Sequence, residues 1–286
     1  MISRSINRHI LLGSTLTLSA FLLYECATAP AESTSPITVP QEDQKEIAVQ
    51  DIQLTEEAIK PTKVGAIPVP AGYHRSVTDS NSFGAYLRGV SLKTENDTVF
   101  QYDGKPKFPQ DVHHAILKID VGKQDLQQCA DAVMRLRGEY LFANKRYDEI
   151  HFNFLRDGKP RYYKDHADGE HSYKSFRKYM DFIFSYANTA SLKKELKSVE
   201  IKELQIGDVF IQQGAPYGHA VIVVDLAENS NGEKIFMVAQ SYMPAQEIHI
   251  LKNFTAPQLS PWYTLNFGVT LSTPEWLFNV SDLKRF

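Results

Sequence analysis

The chain has 286 residues, 31 Lys+Arg against 34 Asp+Glu, 43% hydrophobic residues and two cysteines. With 16 Phe, 14 Tyr and 2 Trp it is too aromatic to be disordered throughout, and two cysteines cannot staple a disulfide scaffold. A net charge of −3 excludes a nucleic-acid binder that works through bulk charge.

Arg4, Arg8 and His9 precede a 14-residue weakly polar-to-apolar run from Ile10 to Leu23. That is the pattern of a secretory signal, shorter than the roughly 20 residues a spanning helix needs. Ala29-Pro30-Ala31 fits a small-residue cleavage site, which makes residues 1–31 a signal peptide and the protein secreted or periplasmic. The alternative is a lipoprotein signal over 1–25, with lipid on Cys26 as the only link to a membrane. Residues 32–60 follow with seven acids against Lys45 and Lys60 and no aromatics, the composition of a flexible acidic linker. Residues 61–286 read as one α+β domain.

Within that body, Val64 to Val69 reads as an edge segment and Ser82 to Leu87 as a short helix. Val99 to Tyr102 and His114 to Val121 read as strands. Asp125 to Asn144 is the clearest helix: Leu126, Cys129, Val133, Leu136, Tyr140 and Leu141 recur mostly at three- and four-residue steps, with Asp125 as cap. Glu149 to Phe154 alternates as a strand before the Asp157-Gly158 turn, Ser172 to Tyr186 is a helix, and Leu192 to Val199 a third. Asp208 to Ile211, Ala220 to Val224, Lys234 to Ala239, Glu247 to Leu251 and Tyr263 to Leu265 then form a meander. Helices first and strands second predict a mainly antiparallel sheet.

Chemistry concentrates in a few positions. Cys129 is the one thiol of the body and stands near a helix start, where free N–H groups and the dipole favour a thiolate. His219 follows Gly218 at the mouth of a buried strand, so a rigid element would hold a base there. Gln240, or its neighbour Ser241, ends the next strand and has the place of a group that orients the base. Tyr217, Tyr242 and Trp262 fall in loops beside these residues and are candidate substrate contacts. A buried cysteine in an apolar helix face has the same periodicity as a nucleophile, so a purely structural thiol stays open. His166 and His171, with Asp165, Asp168 and Glu170, lack any ligand spacing and read as a solvated loop, so no metal is expected. No phosphate-cradling or dinucleotide glycine loop is present, and no cofactor is expected.

Cys129, Gly207-Asp208-Val209-Phe210, Gly218-His219 and Met237-Val238-Ala239-Gln240-Ser241 occur in the order seen in NlpC/P60 and CHAP cell-wall peptidases, and this stretch resembles them. The resemblance implies a papain-like core with its cysteine helix packed on the sheet. It also implies a thiol hydrolase acting on an amide bond of a peptide or of peptidoglycan, with Cys129 as nucleophile, His219 as base and Gln240 as orienting group. Gln128-Cys129-Ala130-Asp131 differs from the Asp-Cys-Ser-Gly of NlpC/P60. That difference leaves a second reading, a non-catalytic cell-envelope binding module on the same core. Over nearly all of 61–286 the chain also resembles a bacterial secreted or lipoprotein family known only as a domain of unknown function. The segments that carry this likeness are Leu126–Val133, Gly218–Asp225, Ala239–Gln246, Pro261-Trp262-Tyr263 and Thr273-Pro274-Glu275-Trp276.

Overall fold

The computed structural model describes residues 60–286, so the signal, lipid-anchor and most of the linker readings lie outside the described residues. The described residues form one compact unit. In chain order its elements are β1 (Tyr73–Arg75), α1 (Phe83–Gly89), β2 (His113–Ile116), α2 (Cys129–Ala143), β3 (His151–Asn153), β4 (Pro160–Tyr162), α3 (Tyr163–Ala167), α4 (Tyr173–Tyr186) and α5 (Thr189–Glu195). There follow β5 (Lys197–Ser198), β6 (Val209–Gln212), β7 (His219–Asn229), β8 (Lys234–Gln240), β9 (His249–Leu251), β10 (Tyr263–Thr264), β11 (Thr270–Ser272), β12 (Leu277–Asn279) and β13 (Leu283–Arg285). The class is α+β, with a mainly antiparallel sheet, as the order of helices and strands implied.

The main sheet runs β2-β9-β8-β7-β6-β13-β5, with β1 on the far end of β7 and β10 on β8. Every residue of β7 from His219 to Ala227 is buried, which is why this strand reads as an unbroken apolar run rather than an alternation. Its two faces serve two cores. Ala220, Ile222 and Val224 meet Ala130, Val133, Met134 and Leu136 of α2, while Val221 and Val223 join Phe210, Phe236, Val238 and Phe278 on the other side. Between Val223 and Asp225 the pairing with β8 shifts by one residue. This bulge turns the fully buried Asp225 carboxylate to Arg75 Nε (2.7 Å) and Arg88 Nε (2.5 Å), which tie β1 and α1 to the sheet.

Helix α2 is buried nearly all round because α4 covers the side that the sheet does not. Gly138 permits the approach: a Cβ there would lie 3.1 Å from Met180 Sδ and 3.2 Å from Phe176. Gly207 is required for a second reason, since its φ is +96° and a Cβ would sit 2.7 Å from the Phe83 ring. Asp208 beside it holds Arg285 with two bonds of 2.6 and 2.8 Å, so Gly-Asp at this strand start is an architectural pair.

Several expected elements differ. Val64–Ala66 is a 3-10 turn rather than an edge strand, and Phe100 and Gln101 make only isolated bridges because the Asp103-Gly104 turn closes at once. Asp125 does not cap α2. Its carboxylate instead accepts from Ala245 N (2.7 Å) and Gln128 Nε2 (3.0 Å), and the helix begins at Cys129 with Gln128 as the capping position. The third helix ends at Glu195, and Lys197–Ser198 leaves it as a strand on β13.

Candidate functional site

Two quoted segments, 126–133 and 239–246, pack on each other. Besides the Asp125–Ala245 bond, the Ser241 hydroxyl is shared between the carbonyls of Gln127 (2.9 Å) and Gln246 (2.8 Å). This clasp fixes the start of α2 against the end of β8. Ser241 is thereby used structurally.

Cys129 occupies the first position of α2 and is 4% exposed. Its Sγ lies 3.7 Å from Thr189 Oγ1 and 3.8 Å from the Gly218 carbonyl. Burial raises the thiol pKa, and the Thr189 contact only partly opposes it. Thiol activation by the helix start is therefore outweighed here by desolvation. The sulfur borders an open groove of about 480 Å³ shared with Gln128, Thr189, Gln213, Tyr217 and Met243. Tyr217 is exposed there, while Asp131, two residues after Cys129, also reaches the groove. Asp131 Oδ2 accepts from Gln128 N (3.1 Å), but its buried Oδ1 has no partner among the described residues. Burial holds this carboxyl well above the usual carboxylate range.

His219 stands on the opposite face of the sheet. Strand alternation fixes this: Ala220 faces α2, so His219 faces away, directly across from Gln212 of β6. The imidazole packs against Tyr242, Trp276 and Phe278, with ring centroids at 4.7, 5.2 and 5.8 Å. It makes no hydrogen bond to Cys129; its partner is Gln240 Oε1 at 2.8 Å. Burial depresses its pKa to about 4. The structure does not join the expected thiolate–imidazolium pair by a hydrogen bond, and burial disfavours the charged form of each group.

What His219 joins is a buried polar ladder along one face of β7, β8, β9 and β2. Gln240 Nε2 donates to Glu275 Oε2 (2.6 Å) and lies 3.4 Å from His249 Nε2. Its oxygen must then accept, which fixes His219 as the Nε2–H tautomer. His249 donates from Nδ1 to the Glu247 carbonyl (2.9 Å), which leaves its Nε2 bare to face the Gln240 amide. His249 is fully buried, and burial lowers its pKa to about 3. Lys107, 3% exposed, closes the network on Glu275 Oε1 at 2.6 Å. His113 follows on β2, its ring centroid 6.0 Å from that of His249. Lys107, His249 and Glu275 were not singled out from the sequence, although Glu275 and Trp276 lie in a segment quoted for the family likeness.

The three aromatic candidates separate. Tyr217 borders the groove, and Tyr242 is partly buried against the His219 ring. Trp262 is 1% exposed, belongs to the α2-side core and donates from Nε1 to Pro68 O (2.9 Å), so it is no substrate contact. His171 and His166 stack on Tyr147 (4.2 Å) and Phe182 (5.2 Å).

Fold and site together define an α+β module with an open groove at the capped end of its central helix and a closed polar ladder beneath the sheet. The chain belongs to the family described as domain of unknown function 4846, whose model matches residues 64–285. No curated protein and no solved structure matches it. Among the described residues no helix is long and apolar enough to cross a membrane.

Proposed function

We infer that this chain is a non-catalytic binding module of the cell envelope, and that the groove beside Cys129 takes an uncharged peptide or another amide-bearing segment. The absence of any hydrogen bond between Cys129 and His219 carries this reading: burial disfavours the thiolate, and the imidazole is engaged by Gln240 instead of the sulfur. The groove's chemistry supports the ligand class. Gln128 and Gln213 offer amides, Tyr217 and Met243 offer adaptable apolar contact, and burial disfavours charge on the one acid among its lining residues, Asp131. The papain-like layout enters only in outline, as a cysteine-bearing helix on an antiparallel sheet. Placement in the envelope rests on the signal pattern of residues 1–31.

The test is titration of the full chain with blocked tri- to pentapeptides, acetylated and amidated at their ends, including wall stem sequences. Binding should be retained in Cys129→Ala and weakened several-fold in Tyr217→Ala. The second reading, a thiol hydrolase, is favoured by Cys129 bordering an open groove at a helix start, and would need a base other than His219. Release of peptide fragments by the wild type that disappears in Cys129→Ala would establish that reading and overturn the first.

A further inference from the structure

Helix α2 carries two arginines in contrasting circumstances. Arg135 is 1% exposed and fully engaged, by Glu139 Oε1 (2.7 Å), Gln127 Oε1 (2.7 Å), the Asp120 carbonyl (3.0 Å) and Tyr173 OH (3.0 Å). Arg137, two residues further along the helix, has no hydrogen bond and no ion pair among the described residues. Its guanidinium carbon instead lies over the rings of Phe83, Tyr140 and Phe286, at 5.2, 5.3 and 5.2 Å from their centroids. Aromatic faces attract the cation but leave its N–H donors without oxygen acceptors.

Arg137 opens onto a cavity of about 440 Å³ that shares no lining residue with the Cys129 groove. Ser76 borders the same cavity, and its buried Oγ likewise has no partner among the described residues. Arg285 is also on the wall, but its guanidinium is committed to Asp208. Phe83, Ile206 and Phe286 supply apolar surface. A half-buried guanidinium with no acceptor among the described residues, beside a buried unpartnered hydroxyl and an apolar wall, describes a site whose acceptor is brought by the ligand. We propose that this cavity binds a small monocarboxylate with an apolar body, its oxygens on the Arg137 fork and the Ser76 hydroxyl and its body against Phe83 and Phe286. A dianion suits the cavity less well, because Arg137 is its one uncommitted cation and Asp79 stands on the rim.

Calorimetric titration of the full chain with sodium benzoate tests this, with benzamide and inorganic phosphate as comparators and ¹H–¹⁵N spectra to locate the change. Benzoate should bind and shift the amides of Ser76 to Gly84 and of the chain around Arg137, while benzamide binds at least tenfold more weakly. Arg137→Met, which keeps the stem against the rings, should lose at least tenfold in benzoate affinity, and Ser76→Ala about threefold. Should Arg137→Met fail to fold, Arg137→Lys and the benzoate-to-benzamide ratio in the wild type carry the decision. Equal binding of benzoate and benzamide, benzoate binding unchanged in the arginine variants, tighter binding of phosphate, or no binding of benzoate at millimolar concentration would each overturn the proposal.

Discussion

The two faces of the sheet at the His219 end are built on opposite principles. On the α2 face, polar groups are few and incompletely satisfied: the thiol has two long contacts, and an Asp131 oxygen has no partner. On the other face, Gln240 alone engages His219, Glu275 and His249, and Lys107 neutralises the carboxylate. Around Gln240 this network is satisfied, His113 Nδ1 at its β2 end being the buried atom left without a partner among the described residues. A satisfied network rigidifies a core, whereas unsatisfied groups beside an open groove are available to a ligand. The histidine that the sequence offers as a catalytic base therefore belongs to the rigid side, and the cysteine to the available one.

Gln240→Leu breaks this contrast hardest. It leaves His219, His249 and Glu275 without their shared partner, and the expected loss is about 4 kcal/mol in denaturant unfolding. A loss below about 1 kcal/mol would show that the ladder does not support the fold.

Next in size is the pH response of the ladder. Above about pH 6.5 His219 is neutral in both folded and unfolded chains. Between that pH and its folded pKa of about 4 only the unfolded chain takes up the proton, so the native state loses stability as pH falls. His219→Gln lacks this contribution. Its destabilisation relative to wild type should therefore shrink by up to about 3 kcal/mol from neutral pH to about pH 4. Asp131 and Glu195, whose pKa values burial raises, act in the opposite direction but are common to both proteins and drop out of the difference. A penalty constant over this range would place a charged imidazole in the native state.

Smaller effects belong to the groove side. Cys129→Ala removes one buried sulfur beside open space and should cost about 1 kcal/mol. Smallest of all is the expected coupling between the faces. Alkylation of Cys129 in the native protein should be slow below its raised pKa and keep the same pH profile in His219→Gln, measured by mass spectrometry under conditions where both stay folded. A profile moved to higher pH in the variant would restore the dyad.

How far the sequence reaches depends on which physical signal each element leaves. Helices α2 and α4 announce themselves by three- and four-residue apolar spacing, and β6 to β8 by Val- and Ile-rich runs with a turn at Asn229–Gly232. The facing of His219 is not legible, because Ala220, Ile222 and Val224 are as apolar as Val221 and Val223. A strand buried on both sides carries no alternation to say where α2 lies. Lys107 and Glu275 escape notice because a buried ion pair so distant in sequence leaves no local pattern. That Gln240 lies near His219 is legible because it ends the strand that pairs antiparallel with the His219 strand, and the two side chains hydrogen-bond. Trp262 was misplaced because a tryptophan next to proline in a loop reads as surface, whereas Pro68 supplies the acceptor that lets it be buried.

The strand order has a consequence for how the chain is made. Helices α2 and α4 precede β6 to β9 in the chain, yet the strands that cover α2 lie among the latter, and β13, the last strand, closes the sheet between β6 and β5. A polypeptide emerging from the ribosome amino end first would present the apolar surfaces of α2 with nothing to cover them until β7 and β8 had followed. Contacts so distant in sequence form late and slowly. The fold thus delays its own completion until synthesis is almost finished.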